Sequence, residues 1–199
     1  MNAAARPDAA PRPRYPSALI DRVRLDDGRE VVLRPVLAID ADAAQDFVRG
    51  LSLESRRKRF HLPIRELSPS LLRQLTDVDH VGHVAIVAEA LSGDDEPTIV
   101  ADARYVKDGD ETHFAIAVAD DWQNAGLGRA MTRRLLHYAA RRGIARLVAD
   151  MLIGNVAMTR LVASFGGRLT MSPHGPGLTR AHLDLRRGAA GDVTEARSH

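Results

Sequence analysis

Cysteine is absent from the 199 residues, which excludes a disulfide framework and a thiol nucleophile and restricts any metal site to histidine and carboxylate ligands. An intracellular setting is the default expectation. Lysine is nearly absent: Lys58 and Lys107 are the only two, so nearly all the positive charge is arginine, a bias that a genome rich in G and C explains without a functional cause. No continuous apolar stretch approaches membrane-spanning length, and the N-terminal MNAAARPDAAPRPRYP lacks the apolar segment of a signal peptide. The expectation is a soluble, cytoplasmic protein with no membrane partner. Acidic and basic residues almost balance, 26 against 28, so despite a pI near 9.4 the charge gives little support to nucleic-acid binding.

What is present suits one globular domain, with 45% hydrophobic content. Residues 1–16 are rich in Ala, Pro and Arg, and 187–199 lack an apolar period, so both are expected to be disordered tails around a folded unit at 17–186. That unit opens as a β-hairpin: Val23 and Leu25 alternate with charged residues, Asp27-Gly28 supplies a turn, and 31–36 returns as a strand. Helices are expected at 40–50, at 52–60 and after Ser68-Pro69, an N-cap followed by proline at the first helical position. Strands follow at 83–90 and 98–106, separated by the turn-rich SGDDEP, and at 113–118. From Leu127 the apolar residues Met131, Leu135 and Tyr138 recur at helical spacing up to Gly143. A buried strand at 144–151, a helix capped by Asn155 and ended by Gly166, and a last strand at about 181–185 complete the order, with no internal repeat.

The stretch AIAVADDWQNAGLGRAM, residues 115–131, puts two glycines at the mouth of that long helix. The first N–H groups of a helix lack internal partners and carry the positive end of its dipole, so strand, glycine-rich turn and helix make a phosphate-binding geometry. A side chain at Gly126 or Gly128 would stand between those amides and a pyrophosphate, and glycine also permits positive φ. Two glycines alone are equally compatible with a plain tight turn. A dinucleotide site would use Gly126-Leu127-Gly128 with Asp150 as the ribose acid. Against it, Met131 takes the third glycine position, ADDWQN separates strand from glycines, and too little chain remains for a second mononucleotide half.

AVADDWQNAGLGRAM resembles the Q/R-x-x-G-x-G/A signature of the GNAT N-acetyltransferases, here Gln123-Asn124-Ala125-Gly126-Leu127-Gly128. The likeness runs through the long helix, the next strand, and Asn155, Met158 and Phe165-Gly166, about residues 113–167. VRLDDGREVVLRPV, LSLESRRKRF and LRQLTDVDH further resemble the acetyltransferase module fused to acyl-CoA synthetase-like domains in bacterial protein lysine acetyltransferases, in a stand-alone form.

The resemblance implies an α/β (α+β) fold with a central mixed, mostly antiparallel sheet flanked by helices, and a splayed strand pair forming the CoA cleft. It implies acetyl-CoA as co-substrate, no metal, and an amine acceptor that is a protein lysine or a small molecule. Ile116, Ala117 and Val118 would face the pantetheine arm, the amides of Gln123, Asn124, Ala125, Gly126, Leu127, Gly128 and Arg129 would hold the pyrophosphate, and Asn155 would bond the pantetheine. A plain helix N-cap also accounts for Asn155. An ammonium acceptor, with a pKa of about 10.4, needs a base, and the developing oxyanion needs a donor such as a backbone N–H on the splayed strand.

Related enzymes carry a glutamate in a stretch resembling A-E-F-A, where this sequence has Thr112-His113-Phe114-Ala115. The base is then His113, or Glu111 one side-chain period earlier, and a half-buried strand histidine with no proton-transfer role is the alternative. A histidine, titrating near ~6.5, suits the task. The position of the tyrosine that often protonates the thiolate holds Val162, so the thiolate, of thiol pKa near ~8.5, would leave unaided or to water.

His80 and His83 have metal-like spacing but no third ligand, and are expected at the surface. Arg56, Arg57, Lys58 and Arg59 are expected on a solvated helix face, and Trp122 beside the loop. The competing functional reading is a catalytically weak acyl-CoA-binding regulatory or partner-binding module. The acceptor and the oligomeric state, a homodimer included, are not legible.

Overall fold

The computed structural model describes residues 15–90 and 97–185. The expected tails at 1–14 and 187–199, and most of the SGDDEP turn, lie outside the described residues. Tyr15 and Pro16, assigned by sequence to the tail, belong to the fold: the Tyr15 hydroxyl donates to the Pro35 carbonyl at 3.3 Å, and its ring meets His80 edge-on at 6.0 Å.

The elements in chain order are β1 (Asp21–Arg24), β2 (Glu30–Pro35), α1 (Ala41–Gly50), α2 (Leu53–Phe60), α3 (Pro69–Thr76), β3 (His83–Ala90), β4 (Thr98–Asp108), β5 (Glu111–Val118), α4 (Leu127–Arg141), β6 (Arg146–Leu152), α5 (Val156–Ser164), β7 (Arg168–Met171) and β8 (Leu178–Asp184). The strands form one sheet ordered β1-β2-β3-β4-β5-β6-β8-β7. Every neighbouring pair is antiparallel except β5 and β6. This is the mixed, mostly antiparallel sheet with flanking helices that the resemblance implied.

Local chemistry explains most boundaries. The Ser68 hydroxyl accepts from the Leu71 amide at 3.3 Å with Pro69 at the first position of α3, so two unpaired groups of the first turn are dealt with before any packing begins. Val31 and Leu33 on β2 and the run Val84 to Ala88 on β3 are buried, and β3 is buried on both faces because helices cover the sheet on both sides. On one face Met131, Leu135 and Ala139 of α4 pack with Val84, Ile86, Tyr105 and Leu147. On the other, Phe47 and Val48 of α1 and Leu71, Leu72 and Leu75 of α3 pack on Ala85, Val87, Ile99 and Ala117.

One strand was missed. The sequence reading passes from α5 to a last strand at 181–185, whereas β7 lies between them and β8 begins at Leu178. All four residues of β7 are exposed, so no buried face imprints an apolar alternation on Arg168-Leu169-Thr170-Met171. Its pairing with β8 supplies the strand.

Candidate active site

The sheet is parted at one place. β4 and β5 are paired along eight residues, but β5 and β6 only at His113 and Val148. Beyond that point β5 runs on to Val118 paired with β4 but with its β6 edge free. The Ala119 N–H donates to the Val100 carbonyl at 2.8 Å, and peptide groups alternate between the two edges of a strand. The peptide groups of Ile116 and Val118 therefore face the gap, while Ala117 turns its own toward β4 and buries its methyl against the α1–α3 side.

At the far end of β5 the chain turns through a short 3-10 segment, Asp120–Trp122, into the glycine loop. The Asp120 carboxylate accepts from the Ser52 amide (2.8 Å), the Ser52 hydroxyl (2.7 Å) and the Ser55 hydroxyl (2.8 Å), which seats the head of α2 on the loop. Burial pushes this carboxyl up, but those donors outweigh it and hold it below the ordinary value. The Gln123 side chain donates to the Val118 carbonyl (3.1 Å) and to the Ser55 hydroxyl (3.2 Å).

Asn124 and Gly126 both sit in the left-handed region, at φ 60° and 83°. Among the described residues no acceptor meets the N–H groups of Asn124, Ala125, Gly126, Leu127, Gly128 and Arg129, and no side chain caps α4. Six free donors at the head of a 15-residue helix are what an anion site requires. Two glycines serve it differently. A Cβ on Gly126 would lie 2.7 Å from an Asp26 carboxylate oxygen of the β1–β2 turn, whose amide bonds the Ala125 carbonyl at 3.2 Å. A Cβ on Gly128 would stand in the crevice against β5, 3.7 Å from a Val118 methyl and 3.9 Å from Ile116. Trp122 packs beside the loop with the Arg29 guanidinium 4.0 Å over its ring. Arg129 is exposed, while Ala125 and Leu127 are buried beneath.

At the opposite end of the gap Glu111 and His113 share the face covered by α2, with His113 Nε2 3.5 Å from a Glu111 oxygen and one third of the His113 side chain exposed. Glu111 is not free. Arg180 Nη1 donates to both of its oxygens at 2.8 and 3.0 Å, and the same guanidinium holds Asp150 through Nε at 3.0 Å and Nη2 at 2.8 Å. The Ser172 hydroxyl adds a bond to Asp150 at 2.6 Å, and His174 Nε2 lies 3.9 Å from it. Burial raises the Asp150 carboxyl, yet Arg180 and Ser172 outweigh burial and keep it low. His61 at the end of α2 is pulled down, first by burial and then by Arg59, with Asp150 opposing. Sequence reasoning found neither Arg180 nor Ser172, and considered Asp150 only as a ribose acid, a role its occupied carboxylate does not fit.

Asn155 caps α5, its Oδ1 accepting from the Met158 amide at 3.2 Å. Val162 is 1% exposed in the core, and α5 carries no tyrosine.

Two surface expectations need correction. His83 is half-buried, with Nε2 3.0 Å from Arg104 Nη1, and burial followed by Arg104 lowers it to about 4. His80 is half-buried against Tyr15. Among the described residues no group of metal-ligating side chains forms. The basic run of α2 is not one solvated face either. Arg56 donates to the Val48 and Arg49 carbonyls at the end of α1, Lys58 pairs with Glu54, and Arg59 turns inward to Asp102 at 3.7 Å. These contacts follow from helical spacing, which spreads four consecutive residues around the axis.

A parted strand pair with a bank of free amides at one end and ionisable side chains at the other suits a transferase whose donor is carried on a phosphorylated arm. The chain belongs to the acetyltransferase (GNAT) family, whose pattern matches residues 53–166, and acetyl-CoA is the co-substrate of that family. It is 35% identical to an acetyltransferase of Pseudomonas aeruginosa over 71% of this chain and 77% of that protein. It is 30% identical to Acetyltransferase Pat of Mycolicibacterium smegmatis over 72% of this chain, and spans only 43% of that relative. The crystal structure of the GNAT domain of S. lividans PAT superimposes with a TM-score of 0.78 at 28% identity, covering 86% of this chain and 99% of that domain. The likeness is thus to the acetyltransferase module. Among the described residues no helix is long and apolar enough to cross a membrane.

Proposed function

We propose that this chain transfers the acetyl group of acetyl-CoA directly to a primary amine, of a protein lysine or a small molecule, within a ternary complex. The observation that carries the reading is the run of six unpartnered amides from Asn124 to Arg129, at the head of α4 and at the mouth of the gap between β5 and β6. Acetyl-CoA supplies the activated thioester carbonyl. The amides bind the pyrophosphate, with Arg129 adding charge. The peptide groups of Ile116 and Val118 align the arm by strand-like bonding, and an N–H on this free edge stabilises the oxyanion. Asn155, its Oδ1 engaged in the cap, keeps its amide NH2 for the arm.

His113 takes the ammonium proton, and Glu111 holds the resulting imidazolium. Glu111 as the base is the rival. Its bonds from Arg180 oppose that role, because proton uptake would weaken the charge-assisted contact that Nη1 makes to both of its oxygens. The thiolate departs without a protein acid, since α5 offers only the buried Val162 where a tyrosine would serve. That same residue favours a second reading, an acyl-CoA-binding module with little turnover.

Thiol release from acetyl-CoA, measured with a panel of small amines and lysine peptides, separates the two. Amine-dependent release supports the transferase. Tight CoA binding with no release above the hydrolytic background for any acceptor would support the module.

A further inference from the structure

Backbone pairing joins β5 to β6 at a single position, so side chains must hold the base of the gap. Arg180 does this from two strands away. It lies on β8 directly opposite Asp150 on β6, and its guanidinium crosses β6 to reach Glu111 on β5. The side chain is 7% exposed. Its edges are divided, Nε and Nη2 on Asp150 and Nη1 on Glu111. A planar fork can hold two carboxylates in this way, whereas a lysine presents one point charge. Through Asp150 the chain of contacts continues to Ser172 and His174 in the turn between β7 and β8.

We propose that Arg180 is a positioning residue, which pins β5 to β6 where the cleft opens and, by holding and partly neutralising Glu111, sets the location and charge surroundings of His113. This rests on the reading of His113 as the proton acceptor. Glu111 on β5 lies beside His113, Arg180 on β8 links it to Asp150 on β6, and Asp150 in turn faces His174 in the β7–β8 turn and, with Arg59, acts on His61 at the end of α2. Two carboxylates share the one guanidinium of Arg180, so Glu111 beside the imidazole is only partly neutralised.

The test is an NMR titration of the histidine side chains of the full chain, with His113→Gln assigning the resonance. Arg180→Gln leaves both carboxylates uncompensated, so the His113 midpoint moves up from wild type by about one pH unit. Glu111→Gln, an isosteric change at a half-exposed position that keeps an acceptor for Arg180, moves it down. Arg180→Lys restores the charge and brings the midpoint back toward wild type. A midpoint unmoved in the Arg180→Gln and Glu111→Gln variants, or moved in the opposite directions, overturns the proposal.

The titration needs neither acceptor nor turnover. Thiol release by His113→Ala decides the underlying reading separately: full activity there would remove His113 as the base, while the shifts would still show that Arg180 governs its surroundings.

Discussion

Gly126→Ala and Gly128→Ala separate two reasons for a glycine that sequence alone merges. Gly126 has φ 83°, and its added Cβ would meet the Asp26 carboxylate at 2.7 Å. That carboxylate is at the end of an exposed side chain on a turn, so it swings aside cheaply and the backbone decides the outcome. Holding alanine in the left-handed region costs about 1–2 kcal/mol. In a domain of this size that lowers the melting temperature by about 2–8 °C, and adding Asp26→Ala recovers little of it.

Gly128 lies in the first turn of α4 with no positive φ, and its Cβ would make ordinary contacts with Val118 and Ile116. Alanine there is neutral or gains about 0.5–1 kcal/mol as a better helix former, yet it occupies the crevice and weakens CoA binding. Gly128→Val goes further in the same direction. Urea melts give the stability of each variant, and calorimetry gives its CoA affinity. A Gly126→Ala midpoint equal to wild type would refute the backbone argument. A Gly128→Val protein that binds CoA normally would refute the phosphate cradle.

CoA and acetyl-CoA should raise the melting temperature by mass action while NAD does not; a calorimetric signal for NAD and none for CoA would defeat the acetyltransferase assignment. His113→Ala should lower kcat by about 10² to 10⁴ with CoA affinity nearly unchanged, because general-base catalysis acts at the chemical step. Glu111→Gln should remain the more active of the two, and the reverse ranking would make the carboxylate the base. His83, held down to about 4 by burial and by Arg104, binds its proton more weakly in the folded state than in the unfolded one, where a histidine titrates near ~6.5. Its contribution is therefore complete above about pH 6.5 and is lost as pH falls toward 4. Denaturant midpoints should fall over that window in the wild type and less steeply in His83→Gln, and parallel curves would count against the buried Arg104–His83 contact.

Elements whose causes are local were legible. Ser68-Pro69 marks the start of α3 because a hydroxyl and a missing N–H satisfy the first turn wherever the helix packs. The run His83 to Ala90 announces β3 because helices on both sides of the sheet bury it nearly continuously. β7 was not legible, since an exposed four-residue edge strand is selected by its pairing with β8 and by nothing in its own pattern. His83 was misread for a related reason. Its depth depends on α3, whose Leu75 carbonyl accepts from Arg104 at 2.9 Å while the same nitrogen of Arg104 faces the His83 ring.

The site divides along the same line. The glycine loop showed itself because what an anion asks of a backbone, positive φ and free amides over a few consecutive residues, is written in those residues. The charge surrounding His113 was hidden. Arg180 stands 30 residues from Asp150 and 69 from Glu111, and only the order β5-β6-β8 brings them together. Read along the chain, Glu111 is a carboxylate free to act as a base. Read across the sheet, it is held by the Arg180 fork that also grips Asp150, with the His113 imidazole beside it. Residue type nominated both candidates, and strand order shows which of them a cation already engages.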